Sequence, residues 1–284
     1  MSSQTPSTKT SVDLSSESDI HWSQDMSYGS YLDLEKLLDC QHPVSDTHDE
    51  MLFIIIHQAS ELWLKCCLHE LQAAMQQVEH NKLGPAFKML ARVARIQAQL
   101  EQSWDILATL TPADYAAFRD SLGQSSGFQS YQYRAIEFAL GNKNAAMIKA
   151  HQDNPKEFNR LNTVLNSPSF YDLCLQLLSK RGFDIPDSHL NRDWSKPYTP
   201  CDAVEDAWLE VYKNPDRDWE LYELAEKLVD LEHQFHHWRF AHMKTVERII
   251  GYKKGTGGTG GVSYLVKALD IRFFPELWTA RTRM

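Results

Sequence analysis

Between Met51 and about His80, apolar positions recur with alternating spacings of three and four. Ile54, His57, Glu61, Leu64, Leu68, Leu71, Met75 and Val78 fall on one face, which predicts a long amphipathic helix. The stretch THDE, Thr47 to Glu50, stands just before it and fits a capping box. A second long helix is predicted from about Pro85 to Leu107. A third runs from about Asp218 to Ile250 with an unbroken stripe: Leu221, Leu224, Leu228, Leu231, Phe235, Trp238, His242, Thr245 and Ile249. Gly251 stands where that helix should end.

Shorter segments repeat the same grammar. In TPADYAAFRDSLG, Thr111 is placed as a cap, Pro112 opens the first turn and Gly123 follows the end. SSGFQSYQYRAIEFALG reads as another helix closed by Gly141. SPSFYDLCLQLLSKRG reads as a third, with Ser167 and Pro168 at its start and Gly182 after it. Residues 183 to 201 read as a long loop. Strand signals are nearly absent, so the fold class is all-α: a helical bundle in which helices near 30 residues extend about 45 Å. Residues 1 to 20, MSSQTPSTKTSVDLSSESDI, lack apolar residues at core spacing and are expected to be a disordered tail. Residues 21 to 284 are expected to form a single domain.

Charge and cysteine usage narrow the class. The 284 residues carry a formal charge of −9, which speaks against nucleic acid or an anionic membrane as the main partner. The longest uninterrupted apolar run is MLFIII, so no membrane span is expected. The N-terminus has no signal-peptide core. Five cysteines form no CxxC spacing, which fits reduced thiols and a cytoplasmic location.

Several polar residues fall where apolar ones belong. His57 and His242 lie on the inward stripes of the two longest helices. Each is either a satisfied core histidine or a ligand to a metal or haem. Tyr115, Phe118, Arg119 and Leu122 share a face of the short helix. Arg119 there either snorkels to water or stands at the wall of an apolar pocket, where a guanidinium can take a carboxylate in bidentate fashion. GYKKGTGGTGG, from Gly251 to Gly261, contains a GxGxxG match, but it follows a helix rather than a strand and so lacks the dinucleotide-binding context. The loop is either a plain connection or a mobile lid. His233 and His237 are spaced for zinc, yet no HExxH and no third ligand accompany them.

Longer stretches carry a resemblance. YGSYLDL, HDEMLFIIIHQASELWLK, LTPADYAAFRDSLGQSSGFQSYQYRAIEFALGNKN, FHHWRFAHMKTVERIIGYKKGTGGTGG and FFPELW resemble the tryptophan 2,3-dioxygenase family, from about residue 25 to near the C-terminus and in the family's order. The resemblance implies an all-helical, cytoplasmic homotetramer with one haem b per subunit, Fe(II) in the active state. It implies insertion of both atoms of O2 across the indole C2–C3 bond of L-tryptophan to give N-formylkynurenine, the first step of the kynurenine pathway. His242 matches the proximal haem ligand, and His57 the distal histidine that receives the indole N–H. Arg119 matches the residue that grips the substrate carboxylate, and Thr256 the one at its ammonium or carboxylate. Phe53, Tyr115, Phe118 and Leu122 would line the indole pocket. Trp104, Ser126, Gly127, Tyr133 and Arg134 would surround the haem. Tyr28, Tyr31 and Leu32 would reach into a neighbouring subunit's site. The glycine loop departs from the family's GTGGSSG, with Thr259 and Gly260 in place of two serines. The competing readings are a relaxed indoleamine-type haem oxygenase and a non-enzymatic helical scaffold.

Overall fold

The computed structural model describes residues 26–284; the expected tail, residues 1 to 20, lies outside them. Every regular element among the described residues is helical. The chain divides into two compact units, one ending at His42 and one running from Pro43 to Met284.

The N-terminal unit contains α1 (Tyr28–Leu32) and α2 (Leu34–Leu38). Ser27 caps α1 in a capping box with Ser30, and Asp33 turns the chain between the helices in a left-handed conformation, φ 51°. Tyr28 and Tyr31 are largely solvent-exposed at 77% and 73%.

The larger unit contains α3 (Glu50–Glu79), α4 (Leu83–Leu107), α5 (Pro112–Arg119), α6 (Tyr131–Leu140), α7 (Pro155–Leu165) and α8 (Phe170–Lys180). These are followed by α9 (Asp187–Leu190), α10 (Asp202–Lys213), α11 (Trp219–Ile250), α12 (Val262–Ala268) and α13 (Pro275–Thr279). The antiparallel pair α3 and α4 forms the most extensive packing, and α11 lies along α4. α6 and α8 cover the other side of α3. The main core gathers Leu71, Leu90, Val93, Trp208, Leu224 and Leu228 from these helices. A smaller apolar cluster, with Ile56, Leu107, Leu110, Phe118 and Ile249, lies where α5 meets the ends of α3, α4 and α11.

Local chemistry explains the boundaries and corrects three expectations. Thr47 does not cap α3. Asp49 is the first flanking residue, and the Glu50 carboxylate instead accepts from the Val44 and Ser45 amides, each at 2.8 Å. The Ser45 hydroxyl, which also donates to it, and then those two amides hold the Glu50 carboxyl below its usual range despite burial. Ser169, not Ser167, caps α8, with Asp172 completing the box, so Pro168 lies before the helix. The SSGFQSYQYR segment makes a separate turn at Gly127–Gln129 before α6 begins at Tyr131, because Ser126 and Ser130 each cap their own element. The Thr111 capping box of α5 has the predicted form. The predicted 183–201 loop holds the short α9, and α7 and α10 were not read from the sequence.

By length and composition α3 could cross a membrane, with a mean hydropathy of 1.4 in its most apolar window; the short apolar run did not disclose this. α4, α6 and α8 pack against it, while Ile55, Leu62 and Trp63 on it are exposed. Lys143 is buried and donates to the carbonyls of Val164, Leu165 and Ser167. It thereby satisfies the C-terminal acceptors of α7, a structural duty.

Candidate active site

A cavity of about 850 Å³ opens between α3, α4, α5, α6, α11 and α12, within the range of sites that enclose small molecules and cofactors. His57 from α3 and His242 from α11 both line it. Their helices have a common neighbour in α4, and each histidine takes the position that a core aliphatic would otherwise fill.

Both imidazoles are held neutral. Burial lowers the pKa of His57, with the Phe53 carbonyl and Glu61 opposing. Burial also lowers that of His242, to about 4, with the nearby His57 adding to the effect. The His57 Nδ1 lies 2.7 Å from the Phe53 carbonyl oxygen. A carbonyl only accepts, so Nδ1 carries the proton and Nε2 keeps a free lone pair. The His242 ring stacks on Trp104, centroids 4.6 Å apart and planes 11° apart.

The short α5 supplies the apolar wall beyond His57. Tyr115 and Leu122 line the cavity with Phe53. Phe118 is wholly buried and stands behind this wall, edge-on to Phe53 at 5.5 Å and to Tyr115 at 5.3 Å. Burial raises the Tyr115 pKa, so its phenol stays protonated.

Arg119 ends α5 and lines the same cavity. One of its terminal nitrogens donates to the Lys254 carbonyl at 2.9 Å, and its Nε is buried without a partner. The glycine loop that carries Lys254 folds back over the 122–126 segment. Thr256 donates its hydroxyl to the Ser125 carbonyl at 2.5 Å. Glycine is required in two places. A Cβ on Gly257 would fall 2.7 Å from that of Ser126. Gly261, at φ 62°, would place one 2.4 Å from the Lys253 carbonyl oxygen. Thr259 lines the cavity, and Gly260 leaves room for the Ser263 hydroxyl, which a Cβ there would approach to 2.6 Å.

At another wall the cavity meets buried charge. Arg134 and Arg239 both pair with Glu137, the latter at 2.9 Å, and all three are almost fully buried. Tyr133 donates to the same carboxylate at 3.2 Å. Among the described residues no second carboxylate pairs with either arginine, so two guanidiniums face one carboxylate. A buried charge without a counter-charge is costly, and the excess cation on this wall suits an anionic group in the cavity. The Nε1 of Trp104 and the Nε of Arg239 are also buried without partners. Ser126 and Gly127 line the same space.

His57, Phe53, Tyr115, Arg119, Leu122 and Thr256 therefore share one cavity with His242, Trp104, Ser126, Gly127, Tyr133 and Arg134. Tyr28, Tyr31 and Leu32 belong to the N-terminal unit, on α1. Sequence reading missed Glu61, Glu137, Arg239 and Trp238. A glutamate and an arginine on otherwise apolar faces of α6 and α11 were the available signal for two of them. No group of three metal-ligating side chains occurs among the described residues; His233 and His237 pack ring to ring at 4.2 Å without a third ligand.

Comparison with known proteins points the same way. The Tryptophan 2,3-dioxygenase family profile matches residues 15–169 and 165–284. The tryptophan 2,3-dioxygenase of Bacillus thuringiensis (strain Al Hakam) is 58% identical over 270 residues, 94% of this chain and 97% of that protein. The enzyme of the same name from Bacillus anthracis shares the same identity and coverage. That of Cupriavidus necator is 57% identical over 92% of this chain and 89% of its own length. With the profile spanning nearly the whole chain and identities far above the level at which fold and family diverge, the chain belongs to the tryptophan 2,3-dioxygenase family.

Proposed function

We propose that this chain is a haem-dependent dioxygenase that adds O2 across the indole C2–C3 bond of L-tryptophan, giving N-formylkynurenine at the entry to the kynurenine pathway. The observation that carries this reading is the pair of neutral imidazoles, His57 and His242, facing one cavity from two long helices. Family membership supports the reaction and disfavours a relaxed indole oxygenase or a scaffold.

The residues present fit a haem. A large, mainly apolar cavity accommodates a planar macrocycle, and a neutral imidazole is the form that ligates iron. The unbalanced Arg134–Glu137–Arg239 cluster offers positive charge to a haem carboxylate. His242 would hold the iron of haem b, with Trp104, Ser126, Gly127, Tyr133 and Arg134 around the group. When bound as ferrous haem, the cofactor supplies the redox centre that O2 requires.

The protein's own residues then fix the substrate. The free Nε2 of His57 accepts the indole N–H and sets the ring orientation. Phe53, Tyr115 and Leu122, backed by Phe118, hold the indole and keep water out. Arg119 keeps one N–H on the loop and has others for the substrate carboxylate. The Thr256 proton is already given to Ser125. Its oxygen is left as an acceptor, which suits the substrate ammonium. An amino acid held at both ends approaches O2 in one geometry.

The surface supports assembly into a homotetramer: Ile55, Leu62, Trp63 and Ile106 are exposed, as are Tyr28, Tyr31 and Leu32 of the arm that would close a neighbouring subunit's site. The free thiols of Cys66, Cys67, Cys174 and Cys201 support a reducing, cytoplasmic compartment.

An absorption spectrum with a Soret band, together with formation of N-formylkynurenine from L-tryptophan, tests the reading as a whole. His242→Ala is expected to lose the haem or its normal spectrum; retention of the full wild-type spectrum and activity removes His242 as the ligand. Arg119→Leu deletes a charge-assisted pair of about 1.5–3 kcal/mol and should raise KM for L-tryptophan roughly 10- to 150-fold. Its ferrous–CO spectrum without substrate should stay near normal. An unchanged KM means that Arg119 serves only the loop. His57→Ser should slow turnover without abolishing it, and the penalty should shrink for substrate methylated on the indole nitrogen, which has no N–H to give. Wild-type turnover of L-tryptophan by this variant removes His57 from the mechanism. Deleting residues 1 to 34 should weaken assembly, measured by sedimentation, together with tryptophan binding. An intact tetramer with unaltered KM refutes a shared arm.

A further inference from the structure

The most unusual contact beside the cavity is that of the proximal-side imidazole with its neighbours. A histidine that ligates a metal ordinarily donates its second ring nitrogen to a carboxylate, a backbone carbonyl or a water, and that bond fixes the plane of the ring. Among the described residues none hydrogen-bonds to either nitrogen of His242. Two indoles pack against the ring instead. Trp104, on α4, stacks face to face with the imidazole, with centroids 4.6 Å apart and an interplanar angle of 11°. Trp238, one turn earlier on α11, lies 5.2 Å away at 43°. The two indoles also touch each other, at 5.7 Å and 54°. The imidazole therefore sits in a corner whose walls come from two different helices.

The polar end of Trp104 adds a second observation. Its Nε1 is buried with no partner. Other tryptophans place theirs: the buried Trp208 donates to the Tyr171 hydroxyl at 3.0 Å, and the half-buried Trp278 to Glu232 at 2.8 Å. A tryptophan kept at residue 104 with its N–H unpaired is not there for a hydrogen bond within the protein. Its flat face against His242 is the contact that the fold makes.

We propose that Trp104 is a positioning residue for the axial ligand, setting the plane of the His242 imidazole by stacking, where no side chain or backbone carbonyl among the described residues does so by a hydrogen bond. This rests on the assignment of His242 as that ligand. Two consequences follow. The imidazole keeps a neutral character, since no carboxylate draws on its second N–H. The ring's rotation about its axis is governed by an α4 side chain, so the packing of α4 on α11 is coupled to the geometry of the iron site.

The test uses holoenzyme of Trp104→Leu, Trp104→Phe and His242→Ala, with two readouts besides turnover. They are the iron–histidine stretching band of the ferrous protein by resonance Raman and the rate of haem transfer to an excess of apomyoglobin. Trp104→Leu removes the stacked ring. It should shift or broaden the band and speed haem transfer roughly two- to twelvefold, the range that aromatic pairs contribute. Trp104→Phe keeps an aromatic face and should change both less. A Trp104→Leu holoenzyme with the wild-type band and transfer rate overturns the proposal. Equal changes in the Phe and Leu variants also overturn it, because the indole N–H and not the ring face would then be responsible. Should Trp104→Leu fail to fold, Trp104→Met takes its place, with the same expectations and the same overturning result. Persistence of the wild-type band in His242→Ala would instead refute the ligand assignment itself, so the two failures are told apart.

Discussion

Placing an imidazole on the inward stripe of a long helix removes it from water, and in this protein that happens twice around one cavity. Burial holds both His57 and His242 neutral, and the nearness of His57 adds to the effect at His242. The arrangement is tolerable only because the helices leave a cavity between them, so that neither ring is pressed into solid packing. α4 makes this possible. It packs along both α3 and α11, supplies Trp104 against one imidazole, and contributes Leu107 to the apolar cluster near the other. The two long helices thus act as rails that each carry one nitrogen base to a shared space.

Around that space, charge is distributed by burial rather than by surface chemistry. The Arg134–Glu137–Arg239 cluster is enclosed in the body of the larger unit and leaves one positive charge in excess. Arg119 stands elsewhere on the cavity wall, tied to the glycine loop through the Lys254 carbonyl. Two separate cationic positions on a mainly apolar wall fit two separate anionic groups, a haem carboxylate and an amino-acid carboxylate. The loop contacts show how one guanidinium can serve both loop closure and ligand capture, since it has more N–H groups than the loop uses.

The helical architecture was legible because the 3–4 spacing is sustained over many turns in α3, α4 and α11, and because Thr111 opens α5, Gly141 closes α6 and Gly251 closes α11. Departures arose where a side chain outside the local pattern took over. Glu50 reaches backward to bind the Val44 and Ser45 amides, which a forward-reading capping box cannot anticipate. α7 and α10 are short, at 11 and 12 residues, so their stripes offer only about three turns of periodicity to read.

The sequence by itself determined the all-helical class, the inward position of His57 and His242, the shared face of Tyr115, Phe118 and Arg119, and, through its long motifs, the family. These are properties of periodicity and of residue order, which local backbone geometry converts directly into faces. Tertiary structure alone decided that the faces meet in one cavity and that Phe118 stands behind the wall rather than in it. It also decided that Arg239 joins the local Arg134–Glu137 pair from about a hundred positions away in the chain. It put Trp104 flat against His242, and it set Thr256 on the Ser125 carbonyl. Each of these is a contact between segments remote in sequence, fixed by how helices pack, and no pattern along a single segment encodes it.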